Sequence, residues 1–204
     1  MDNTVHTYIA DNEQLLIPGR EVARYLGYSR EAILAGDELI DATIKKVRTI
    51  MAGKAVYGRY PISFFDEDGI VMPYGSIHSA QLRDNLEGCT EVYIFAATIG
   101  AAFDRELTRA KVRSLADAAL LQAAGAAAIE AVCDDLNDKL KAEAEAEGRK
   151  LHRRFSPGYG DFDLENQKGL FAVLNPSKFI GLSLMDTLIM SPEKSVSAVI
   201  GVEA

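Results

Sequence analysis

A chain of 204 residues, 48% hydrophobic and 25% charged, is long enough for one good-sized domain, or two small ones, with an adequate core. Its formal net charge of −8 argues against nucleic acid as the main partner, because that affinity rests on clustered cations and only residues 149–154 are locally basic. No apolar run is expected to reach the ~18–20 residues of a membrane span, no basic-then-apolar leader opens the chain, and Cys89 and Cys133 are too few for a disulfide framework, so a cytoplasmic protein with reduced, buried thiols is expected.

In chain order, residues 15–17 suggest a short strand turned by Pro18-Gly19, followed by a short helix over 21–26 that Gly27 closes. Ser29 would cap a longer helix with Glu31 and Glu38 in its early turns. Ile33, Ile40, Ile44, Val47 and Met51 form its core stripe. Residues 55–65 read as a strand in which Pro61 suggests an edge position, with a hairpin turn at 66–69 and a return strand at 70–72. A short helix over 79–86 ends at Gly88, and EVYIFAA at 91–97, apolar on both faces, predicts a central strand. The turn at Thr98-Ile99-Gly100 opens a helix with Phe103, Leu107 and Ala110 on one side, but no phosphate-cradling fingerprint is present.

Residues 114–132, SLADAALLQAAGAAAIEAV, are apolar or small nearly all the way round and predict an interior helix. Leu120, Ala123, Ala127, Glu130 and Asp134 fall on one face, where alanines would let a backbone or a ligand come close and where Glu130 must be paired, hydrated or used. The charged run 134–147 reads as a solvated helix end. After it comes Arg154-Phe155-Ser156-Pro157-Gly158-Tyr159-Gly160-Asp161, in which Pro157 and Gly158 predict a type II turn over 156–159. Arg154 supplies a planar charged fork and Tyr159 an aromatic face, a pairing suited to a small ligand with a carboxylate and a flat ring; the alternative is a surface turn whose arginine pairs with an acid of the chain. A helix over 164–174 should carry Gln167 and Lys168 outward and stop at Asn175-Pro176; strands are expected over 181–190 and 195–200. Strands from all three thirds, with helices inserted in pairs, favour an α+β fold with a mostly antiparallel sheet.

The segments RFSPGYGD at 154–161, Gln167, LNPSKFIGLSL at 174–184 and MSPEKSVSAVIG at 190–201 together resemble the activation (reactivation) domain of vitamin B12-dependent methionine synthase, in particular the short stand-alone proteins of that superfamily. RYLGY near Tyr25, AATIG at Ala96 and AAIEAVCDDL at Ala127 extend the resemblance across the chain. It implies a single activation-domain-like unit over 1–204, with a helical N-terminal part (1–53) and an α+β core (54–204). It further implies binding of S-adenosylmethionine and docking on a cobalamin-carrying methionine synthase or other corrinoid protein, with cobalamin reaching the site only through that partner. An electron from a flavodoxin-type reductant would help to restore methylcobalamin. By the same resemblance the ligand-contacting positions fall on Glu130, Arg154, Phe155, Ser156, Pro157, Gly158 and Tyr159, with no catalytic side chain and no metal ligand. Glu147 stands off the spacing of the family's additional acid, Lys194 replaces a neutral residue, and the fused domain continues past the last strand, which implies a more open pocket, or weaker or lost binding, here. His6, His78 and His152 lack the D-x-H-x-x-G context of a cobalt-presenting histidine and read as surface or packing residues. The rival reading is an interaction or assembly subunit of another corrinoid methyltransferase system that does not use the ligand.

Overall fold

The computed structural model describes residues 4–29 and 37–203. Its frame is a five-stranded sheet in the order β1-β2-β6-β10-β7, made of β1 (His6–Ile9), β2 (Lys54–Pro61), β6 (Cys89–Thr98), β10 (Ser195–Glu203) and β7 (Lys150–Leu151), every neighbouring pair antiparallel. Strand β6 is central, as expected, and the reason is its period of two. Tyr93, Phe95 and Ala97 enter the core on one face, and Val92, Ile94 and Ala96 enter a second core on the other. Neighbouring strands divide in the same way, with Ala198, Ile200 and Val202 of β10 on the first face and Val199 on the second.

The first face is covered by α1 (Gly19–Tyr25), α2 (Glu38–Ile50), α4 (Ala101–Arg113) and α5 (Leu115–Ala146). The second is covered by the small sheet β3 (Ser63–Phe65), β4 (Gly69–Met72) and β5 (Gly75–His78), with α3 (Ala80–Asn85), α6 (Asn166–Leu174) and α7 (Pro176–Ile180). The architecture is thus α+β with a mostly antiparallel sheet, as the sequence indicates.

Helix α5 runs unbroken for 32 residues, merging the expected interior helix with its charged end. By length and composition it could cross a membrane, contrary to the expectation from the sequence, but 61% of its most apolar window is buried in the fold. Gly125 explains how α5 sits so near α4, because the fully buried Phe103 ring lies where a β-carbon would stand.

Several expectations are corrected. Residues 15–17 form no strand; Leu15 and Ile17 point into the core while Leu16 is 79% exposed. The first strand is His6–Ile9, a run of only four residues that includes the β-formers Thr7, Tyr8 and Ile9 and that the sequence reading passed over. Helix α2 starts at Glu38 with Asp37 as its N-cap, accepting from the backbone N–H of Leu39 at 2.8 Å. The expectations on Glu31 and Ile33 lie outside the described residues. Strand β2 is interior, not an edge. Pro61 is accommodated because β1 pairs only as far as Tyr57 and the missing N–H points past its end. Gln167 is buried, at 6% exposure, since it shares a stripe with Leu170 and Leu174 at spacings of three and four. Residues 181–190 yield only a two-stranded hairpin of β8 (Ser183–Leu184) and β9 (Met190–Ser191).

Candidate functional site

Two pieces of chain supply most of the site, the exposed Glu130 and Asp134 on the otherwise buried middle of α5 and the segment that leaves β7. Beyond β7 the chain keeps company with β10: the N–H of His152 donates to Gly201 O at 2.9 Å, and Phe155 and Val199 exchange backbone hydrogen bonds of 2.9 Å in both directions. Arg154 is thereby carried along the sheet margin and the chain then turns. The N–H of Tyr159 donates to Ser156 O at 3.2 Å and Gly158 adopts φ +94°, the type II geometry that Pro157-Gly158 predicts.

The turn is anchored from beneath. Pro157 is buried, the N–H of Gly158 donates to Phe162 O at 2.7 Å, and the fully buried Phe162 ring lies 6.2 Å from that of Phe155. Asp161 provides a second anchor. Its carboxylate accepts from the Ser79 hydroxyl at 2.5 Å and from the N–H of Ala80 at 2.8 Å, bridging the turn to the start of α3. The Ser79 hydroxyl and these N–H groups hold the Asp161 carboxyl below its ordinary value. Gly160 adopts φ +55°, a left-handed conformation that favours glycine, and the end of the exposed Gln81 side chain lies where a β-carbon would stand.

Arg154 meets both acids of the α5 stripe. Its Nη2 donates to Asp134 Oδ1 at 2.8 Å and to Glu130 Oε2 at 3.3 Å, whereas Nη1 is enclosed without a hydrogen-bond partner among the described residues. The buried Cys133 thiol is pushed up to about 12 by burial, a shift that the Arg154 charge opposes. A cavity of about 310 Å³ opens beside this cluster, lined by Glu130, Arg154, Phe155, Ser156, Tyr159 and Val196. Five of the seven candidate residues therefore meet around one space. Pro157 and Gly158 shape the turn without lining it. The Tyr159 ring is 69% exposed at the rim. Sequence reasoning missed Asp134 as a partner of Arg154, although its place four residues after Glu130 was the available signal. Val196 was missed because its strand gives only an apolar alternation.

The remaining candidates lie elsewhere. Glu147 pairs with Arg59 at 2.7 Å, in a network where Glu91 also takes Arg59 and Arg149, and does not line the cavity. Lys194 is half-buried, and burial lowers its pKa; its carbonyl accepts from the N–H of Ile99 at 3.1 Å. His78 pairs with Asp68 at 2.8 Å, His6 stacks on Tyr57, and His152 lies between the Asn85 carbonyl and Glu203. Both cysteines are free and buried.

No family model and no curated protein sequence matches the chain. Among solved structures, the crystal structure of the MetH reactivation domain bound to AdoHcy superposes with a TM-score of 0.76, over 97% of this chain and 78% of that one, at 15% identity. The likeness is one of fold, and by it this chain has the α+β architecture of the MetH reactivation domain.

Proposed function

We propose that the chain binds S-adenosylmethionine in the cavity between α5 and the 154–159 turn, and serves as a stand-alone activation subunit for a cobalamin-carrying methionine synthase in the cytoplasm. The observation that carries this reading is the meeting of Glu130, Arg154 and Tyr159 around one cavity, in a fold whose solved neighbour holds AdoHcy. An amino-acid ligand is a zwitterion and needs a cation and an anion side by side. Arg154 and Glu130 stand 3.3 Å apart and supply both.

The Arg154–Asp134 pair is partly exposed, at 24% and 69%, and such pairs are worth about 0–1 kcal/mol, so a ligand carboxylate would displace it at small cost. Tyr159 would offer its face to the sulfonium or the nucleoside. At about 310 Å³ the cavity is at the small end of ligand pockets, roughly 300–1,000 Å³, so part of the ligand would extend over the exposed tyrosine toward the docked partner. Cobalamin would reach the site only on that partner, where it would supply the methyl-accepting chemistry, with the electron coming from a flavodoxin-type protein. The residues that line the cavity would bind and orient the methyl donor.

Calorimetric titration of the full chain with adenosylmethionine and adenosylhomocysteine tests the reading. Saturable binding that is lost in Arg154→Ala and Glu130→Gln is expected. No heat and no thermal shift at millimolar ligand would overturn it. The two ion pairs that Arg154 already makes favour a second reading, in which the Arg154 cluster is a structural knot and the chain is an interaction or assembly subunit of another corrinoid methyltransferase system. Under that reading Arg154→Ala leaves partner binding intact and there is no ligand to lose.

A further inference from the structure

The stripe that bears Glu130 continues past the ligand cavity. Glu130, Asp134, Asn137 and Lys141 succeed one another at four, three and four residues, so they share a face of α5, and along it the charge changes from acid to base. Facing the basic end is the segment from β7 onward, with Lys150, Arg153 and Arg154. The space between the two walls is an open groove of about 790 Å³. Its lining holds four Lys or Arg side chains against one acid, Asp134, in a chain whose formal net charge is −8.

Of these four cations Arg154 is committed to Glu130 and Asp134, while the other three are held loosely or not at all. Lys141 is 3.9 Å from Glu145 and Lys150 is 3.4 Å from Glu203, both pairs largely exposed and weak. Arg153 is exposed and has no hydrogen-bond or ion-pair partner among the described residues. A guanidinium fork matches two oxygens of a phosphate, ammonium groups add point charge, and the Asn137 amide adds donors. Cations on both walls of so large a groove suit an ion with phosphates at more than one point. The overall negative charge disfavours the longer backbone of a nucleic acid.

We propose that this groove is a binding site for a small polyphosphate-bearing anion. The site stands whether or not the neighbouring cavity takes a sulfonium ligand. If both are occupied they share Arg154, which lines each, so an anion in the groove and a carboxylate in the cavity weaken one another reciprocally.

Titration of the full chain with sodium tripolyphosphate at low and moderate salt tests the proposal. Saturable one-site binding is expected, weakened by about tenfold or more in Arg153→Gln/Lys141→Gln and unchanged in Lys45→Gln/Lys111→Gln, which removes two exposed cations elsewhere. All of these side chains are exposed, so the variants should fold, and circular dichroism checks that they do. Absence of saturable binding overturns the proposal, as does equal weakening in both double variants, which would mark diffuse attraction. Binding of a glutamate-rich peptide without binding of tripolyphosphate overturns it too, because the groove would then be a protein-docking surface. Adenosylmethionine titrated separately reports on the other cavity, so the two readings fail independently.

Discussion

Replacing Gly125 by alanine sets two known effects against each other at one position. Glycine inside a helix costs about 1 kcal/mol relative to alanine, so on propensity alone Gly125→Ala should stabilise the 32-residue α5. The added methyl, however, would stand 2.7 Å from Phe103 Cε1, 3.0 Å from Cε2 and nearer still to Cζ. Phe103 is fully buried in the core beneath α2, α4 and α5, so its ring has no free space to turn into. Overpacking of this kind costs about 1–3 kcal/mol, and with a ring edge held against a helix backbone the upper half of that range applies. The net expectation is a loss of about 1–2 kcal/mol, read as a lower urea midpoint and a fall in Tm of about 2–8 °C for a chain of this size. In a Phe103→Leu background the clash is relieved and Gly125→Ala should turn neutral or stabilising. A Gly125→Ala protein as stable as wild type would refute the claim that α4 and α5 are spaced by this contact.

Two further outcomes follow from the same geometry. Ser197 is 2% exposed and its hydroxyl has no partner among the described residues, so Ser197→Ala should be neutral or stabilising by up to about 1 kcal/mol in urea denaturation; a marked loss would reveal a hydrogen bond to buried water. The Asp161 carboxyl is held below its ordinary value of 3.8 chiefly by the Ser79 hydroxyl. A depressed folded value means that the ionised group contributes stability that is fully present above the unfolded value and is lost as pH falls through the folded one. The stability gap between wild type and Asp161→Asn should therefore be constant near neutral pH and close in acid below 3.8; a gap independent of pH would refute the role of that charge.

Where the sequence was informative, one local pattern decided the outcome. Strand β6 is apolar at every position from Val92 to Ala97, which only a strand buried on both faces can accommodate, and the alternation then assigned each residue to a core. The turn at 156–159 needed nothing beyond Pro157 and Gly158. Failures came where a local stripe was overlooked or where a distant element determined the environment. Gln167 looks like an outward polar residue until Leu170 and Leu174 define the stripe that it shares, and Leu16 looks like a strand residue until Leu15 and Ile17 are found without a pairing partner. Arg154 had 30 acids to choose from; only the placement of the β7 segment against α5 selects Glu130 and Asp134.

The eight residues 154–161 divide by job, and the division bears on what a match to them can show. Phe155 bridges to Val199 and packs on Phe162, Pro157 is buried, Gly158 takes positive φ, Gly160 yields space to Gln81, and Asp161 ties the turn to α3. These five residues hold a bend of chain in place, a job they do whether or not the protein binds a ligand. Arg154 and Tyr159 are different, since neither side chain is required to make the turn and both face the cavity. A resemblance spread over all eight residues therefore speaks mainly to fold. Substitution at Arg154 and Tyr159, with the turn left intact, is what separates a ligand site from a scaffold that has kept its shape.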